Sequence, residues 1–209
     1  MKHLVLIIAA FVILTSADKA KPKILIIGDS ISNGYTPFVK EALKDNALVD
    51  HNPGNAQYSG TGVAMIDKWL GNEKWDVVQF NFGLWDLYGW ENADILRTPE
   101  TYARNLEKIV VRLKKTGAKL IWVTTTPVCP GPEVKCKLII DSDTESAFQN
   151  AALGVMEKYK VKVNNINKVS RKIYKNHGVG YNDVHFTTEG YKMLAQEITK
   201  ELKKILKML

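Results

Sequence analysis

Residues Lys23–Ile27 read KILII: apolar after the first position, with nothing polar at alternate sites. A strand with one face in water alternates apolar and polar residues. One that does not alternate is covered on both faces, as strands of parallel sheets are. Residues 75–82 (WDVVQFNF) and 119–125 (KLIWVTT) carry the same signal, residues 47–52 carry it more weakly, and residues 161–165 form a short fifth run. The stretches between these runs follow helical spacing. Thr98-Pro99-Glu100 supplies an N-cap, a proline at the first helical position and an acid in the first turn. Tyr102, Leu106, Ile109, Val110 and Leu113 then recur on one face, and Gly117 ends the segment after Lys114-Lys115. Near the end of the sequence, Tyr191, Leu194, Ala195, Ile198, Leu202 and Ile205 form an apolar stripe opposite Lys192, Lys200, Lys203, Lys204 and Lys207. The stripe predicts a closing helix docked on the sheet, with a membrane-surface helix as the alternative. Strand–helix alternation of this kind predicts an α/β sandwich with a mostly parallel sheet and right-handed crossovers.

The first residues read as an address rather than as part of the fold. Met1-Lys2-His3 is a basic start, residues 4–14 are an unbroken apolar run of eleven, and Thr15-Ser16-Ala17 offers small residues for cleavage. Eleven residues are too few to span a bilayer comfortably. The expectation is a cleavable export signal over residues 1–17 and one domain over residues 18–209, giving a secreted or periplasmic protein with no stable membrane insertion after cleavage. An uncleaved anchor is the alternative. In an oxidising compartment Cys129 and Cys136, which bracket a Pro/Gly-containing loop, are most simply a disulfide. On the chain-entropy model, closing so short a loop stabilises the fold by ~2.5 kcal/mol. No histidine stands near them to complete a metal site.

The formal charge is +7, one less once Lys2 leaves with the signal. The lysines are scattered and no basic patch is interleaved with aromatics, so a nucleic-acid partner is not expected.

In a parallel sheet the working residues gather past the carboxyl ends of the strands. Residues 28–35, 53–62 and 83–91 qualify as loops at that edge, and residues 180–187 return to it. Ser30 stands directly after the first strand, in Gly28-Asp29-Ser30. A serine hydroxyl becomes a nucleophile only when a base takes its proton and a third group orients that base. Of the histidines after the leader, His51 and His177 read as surface or capping residues. His185 differs: Asp183 precedes it by two residues and a helix follows.

Taken together, Gly28-Asp29-Ser30 and the Asp183/His185 pair before the last helix make the chain resemble the SGNH, or GDSL-type, hydrolases, over residues 21–206. The G-x-S-x-G elbow of lipase-type hydrolases is absent around Ser30. The resemblance implies a three-layer α/β/α sandwich with a five-stranded, mostly parallel sheet, and a serine ester hydrolase that needs no metal or organic cofactor. It implies Ser30 as nucleophile, His185 as base, and Asp183 as its orienter. It further implies an oxyanion donor from the loop holding Gly54, Asn55 and Ala56, any of which fits. The family's third block, G-x-N-D, stands here as Gly83-Leu84-Trp85-Asp86, near a branch that reads GLHD. Asparagine, histidine and tryptophan all carry a side-chain N–H, so Trp85 is either an oxyanion donor or part of the pocket wall. The family's acid lies three residues before its histidine, where this chain has Asn182, so Asn182 is the alternative to Asp183. For an exported enzyme of this size the resemblance points to small acyl groups on carbohydrates, with Trp85, Tyr88 and Trp90 available to stack on sugar rings. The partner is then a small-molecule or glycan ester. A catalytically impaired carbohydrate-binding relative is the competing reading.

Overall fold

The computed structural model describes residues 20–88, 97–127, 141–180 and 183–209. The leader, the Cys129/Cys136 loop, Trp90 and Asn182 lie outside the described residues. All five apolar runs are strands: β1 (Lys23–Ile27), β2 (Leu48–His51), β3 (Val77–Phe80), β4 (Lys119–Val123) and β5 (Lys162–Asn164). They form one sheet in the order β2-β1-β3-β4-β5, every neighbouring pair parallel. Helices fill the connections: α1 (Ser30–Leu43), α2 (Ser59–Leu70), α3 (Leu84–Tyr88), α4 (Pro99–Lys114), α5 (Ser142–Lys158), α6 (Asn167–His177) and α7 (Thr188–Leu206).

The unbroken apolar character of the strands has the expected cause. Ile24 and Ile26 of β1 and Ile121 and Val123 of β4 enter one core, with Val39 of α1 and Ile198 and Leu202 of α7. Their neighbours Leu25, Ile27, Leu120 and Trp122 enter a second core with Ile66 of α2, Ile109 of α4 and Met156 of α5. Alternate residues face opposite ways, and both ways are dry: three layers, helix–sheet–helix.

The strand order fixes where a site can form. From β1 the chain steps to one side through α1, then returns past β1 to β3 and continues outward. The reversal opens a crevice at the carboxyl ends of β1 and β3. Ser30 follows β1 there, and Gly83 and Trp85 follow β3. The edge has less loop than the sequence predicts. Residues 28–35 become helix from Ser30 onward, because Asp29 caps α1: its Oδ1 accepts the Ile31 N–H at 3.0 Å. Helix likewise takes over from Ser59 and Leu84.

Candidate active site

The strand-to-helix turn is clamped from β2. The Gly28 N–H donates to Asn52 Oδ1 at 2.8 Å. Ser32 Oγ lies 2.7 Å from the Asp29 carbonyl and 2.6 Å from His51 Nε2, and His51 Nδ1 donates to the Asn52 carbonyl at 2.7 Å. With Nδ1 carrying the proton, Nε2 of the neutral ring is an acceptor, so the single Ser32 hydroxyl proton is shared between it and the Asp29 carbonyl. Burial, together with nearby Lys40, holds His51 below the ordinary histidine range against the pull of the Asn52 carbonyl. Glycine suits position 28, where a Cβ would stand 2.6 Å from Ser32 Oγ and displace it. The turn thus presents Ser30 half-exposed at the first residue of a fourteen-residue helix. The helix N-terminus favours negative charge at that spot.

The second half of the site comes from the far end of the sequence. The segment joining α6 to α7 folds back as a short antiparallel clip: Val179 N–H donates to the His185 carbonyl at 3.0 Å, and Thr187 N–H to the His177 carbonyl at 2.8 Å. Phe186 is buried edge-on against Tyr174, ring centroids 5.3 Å apart. The Tyr174 hydroxyl reaches the Asp183 carbonyl at 2.5 Å. This clip brings His185 over the turn, with Nε2 2.8 Å from Ser30 Oγ across 155 positions of sequence.

Asp183 completes the row. Its Oδ1 accepts from His185 Nδ1 at 2.5 Å and from the His185 backbone N–H at 2.9 Å. Burial works to raise the Asp183 carboxyl, but these two hydrogen bonds and the imidazole charge outweigh it and hold the group below the usual carboxylate range. A carboxylate at Nδ1 fixes that nitrogen as N–H and turns the Nε2 lone pair toward the serine. The three side chains therefore line up as proton donor, acceptor and orienter, the arrangement that activates a hydroxyl for attack.

The remaining sequence-derived residues lie on α3 and on the loop after β2. Trp85 and Tyr88 of α3 are half-buried against the core that holds α1 and α7. In the loop after β2, Ala56 is fully buried and its N–H donates to the Gly28 carbonyl at 3.0 Å. That N–H is committed to holding the loop on the turn, which leaves Gly54 and Asn55 as the donors this loop can offer. Gly54 turns at φ +68°.

Two local features lie outside the sequence reading: the backbone of Gln57 and the partner of Asp86, the residue that closes the Gly83–Asp86 block. Gln57 adopts φ +55°, a left-handed conformation that costs a side-chain-bearing residue energy, and its N–H donates to Asn55 Oδ1 at 2.8 Å. Asp86, buried directly after Trp85, accepts from the Ser59 N–H at 3.0 Å and the Ser59 hydroxyl at 2.5 Å, while Asn105 Nδ2 donates to Ser59 Oγ at 3.0 Å. This network ties α3 to the start of α2, and burial raises the Asp86 carboxyl to about 6. The match of Asp86 to the last position of G-x-N-D is the signal available in sequence; its serine partner, 27 positions away, has none.

Comparison with known proteins places the fold and the family. An arylesterase from Vibrio mimicus is 27% identical over 123 residues, 53% of this chain and 58% of that protein. The chain thus spans little more than half the length of this relative. Among solved structures, the acetyl xylan esterase AlAXEase superposes with a TM-score of 0.72 at 15% identity, covering 86% of this chain and 98% of that one. A lipase/acylhydrolase from Enterococcus faecalis superposes with a TM-score of 0.70 at 22% identity, covering 88% and 96%. These two likenesses are of fold. The wider match is to the GDSL-like lipase/acylhydrolase family, which takes in residues 26–193 and so both the Ser30 turn and the His185 clip; the chain belongs to that family.

Proposed function

We propose that the protein is an exported serine ester hydrolase that removes small acyl groups, acetyl above all, from carbohydrate. The observation that carries the hydrolase reading is the 2.8 Å contact between Ser30 Oγ and His185 Nε2, with Asp183 behind the ring. Ser30 Oγ attacks the ester carbonyl as its proton passes to Nε2. The oxyanion meets the Ser30 N–H at the start of α1, a second N–H from Gly54 or Asn55, and the Trp85 indole N–H. His185 then returns the proton to the departing alcohol, leaving an acyl group on Ser30. Water, deprotonated by the same nitrogen, releases the acid. Asp183 stays ionised throughout and balances the imidazolium.

The carbohydrate part of the reading rests on the half-buried aromatics Trp85 and Tyr88 of α3, which follows β3 at the carboxyl edge, on the export signal expected at residues 1–17, and on the fold shared with an acetyl xylan esterase. A fluorophosphonate probe tests the nucleophile: wild-type protein labels, and Ser30→Ala does not. Folded wild-type protein that fails to label would turn the reading toward a carbohydrate-binding relative. A chromogenic ester panel tests the acyl group, with acetate expected to be cleaved fastest.

A further inference from the structure

The pole opposite Ser30 has a chemistry of its own. Ser30 follows β1 at the carboxyl edge of the sheet, whereas Pro22 and Asn46, just before β1 and β2, mark the amino edge. The last turn of α7 ends there, where Lys203, Leu206 and Lys207 line a hollow together with Pro22 and Asn46. The same two lysines border a groove of about 680 Å³ between α1 and α7, whose apolar members are Phe38, Ala42 and Ala195.

Lys200, Lys203, Lys204 and Lys207 follow the i, i+3, i+4, i+7 pattern, so they share one helix face, and all are exposed. Lys204 is paired with Glu201, and Lys192 with Glu189 at 3.3 Å. Among the described residues, Lys200, Lys203 and Lys207 have no acidic partner at ion-pair distance. Directly beyond them Met208 is 69% exposed and Leu209 43% exposed. Uncompensated cations thus stand beside bare apolar side chains and an apolar groove.

We propose that this pole docks on the surface of an anionic phospholipid bilayer, its lysines against lipid phosphates and Met208 and Leu209 in the interfacial layer. A lipid surface answers both halves of the patch, whereas an acidic polysaccharide answers only the charge. No helix among the described residues is long and apolar enough to cross a membrane. Docked this way, the molecule holds Ser30 on the side away from the lipid. The proposal is independent of the esterase reading.

Co-sedimentation of the full chain with vesicles of phosphatidylglycerol and phosphatidylcholine, against phosphatidylcholine alone, is the test. Both vesicle types see the same leader, so only the difference between them counts. Preferential binding to the anionic vesicles is expected, lost at high salt. The triple variant Lys200→Glu, Lys203→Glu, Lys207→Glu should bind them about a hundredfold more weakly. Met208→Ser with Leu209→Ser should cost several-fold at unchanged charge, with circular dichroism confirming that both variants are folded. Equal binding to the two vesicle types overturns the proposal. So does undiminished binding by the triple variant, or retention on an acidic polysaccharide without binding to anionic vesicles.

Discussion

Asp183 and Trp85 each divide a proposed role in the reaction from a role in packing, and a substitution that keeps shape while changing chemistry separates the two. Asp183→Asn keeps a carbonyl oxygen for one hydrogen bond but removes the charge that balances an imidazolium, and it allows the ring to adopt the wrong tautomer. A fall in kcat of about 10²–10⁴ is expected with KM little changed, measured by steady-state hydrolysis of an aryl acetate. Trp85→Phe keeps an aromatic ring against the core and deletes only the N–H. Loss of an oxyanion donor lowers kcat by about 10²–10³; an unchanged kcat would assign Trp85 to the pocket wall. Ser32 and His51 illustrate the opposite case, a serine–histidine contact of 2.6 Å whose hydroxyl is buried. Distance alone does not make a nucleophile, because Ser30 is the hydroxyl a substrate can reach.

Between elements, the decisive contact is that of α1 with α7, since α1 carries Ser30 and the clip that carries Asp183 and His185 runs directly into α7. Gly34 of α1 lies directly under Tyr191 of α7: a Cβ at position 34 would stand 2.2 Å from the Tyr191 ring, which packs on Phe186 beside His185. Gly34→Ala therefore pushes on the clip that holds the imidazole. A stability loss of about 1–3 kcal/mol is expected in urea denaturation, together with a lower kcat. Wild-type kinetics in a merely destabilised variant would show that the clip is set from α6 instead. Gly34 and Pro37 are residue types that disfavour helix interiors, yet both lie inside α1; the docked α7 gives Gly34 its reason. The strands were legible because coverage on both faces leaves a local trace. Their ends were not: Trp75 and Phe82 continue the apolar run beyond β3, but they are buried against helices rather than paired in the ladder. Ser30, Asp183 and His185 were legible because each sits in a short run of telling neighbours. The Ser59–Asp86 and Ser32–His51 pairs join residues that no local pattern connects, so they emerge only from the fold.

For the molecule as a whole, the two carboxyls buried beside the site tie stability to pH. Burial raises Asp29 to about 6, from 3.8 for a free side chain, against hydrogen bonds from the Ile31 and Ser32 backbone. Below pH 4 both folded and unfolded chains hold this proton and the group contributes nothing. As pH rises toward 6 the unfolded chain gives it up first, so stability falls, and above 6 the deficit is constant at ~3 kcal/mol. Asp29→Asn removes this dependence while its carbonyl can still cap the Ile31 N–H. Relative to wild type, the variant should therefore gain about 3 kcal/mol between pH 4 and pH 7 in chemical denaturation. A difference that stays flat across that window would mean that Asp29 is already ionised in the folded protein at low pH. The 155 positions separating Ser30 from His185 have a consequence in time as well as in space. A ribosome delivers the hydroxyl well before the imidazole, so a growing chain that already displays Ser30 lacks the ring beside it until residues 183–185 have emerged and folded back over the turn.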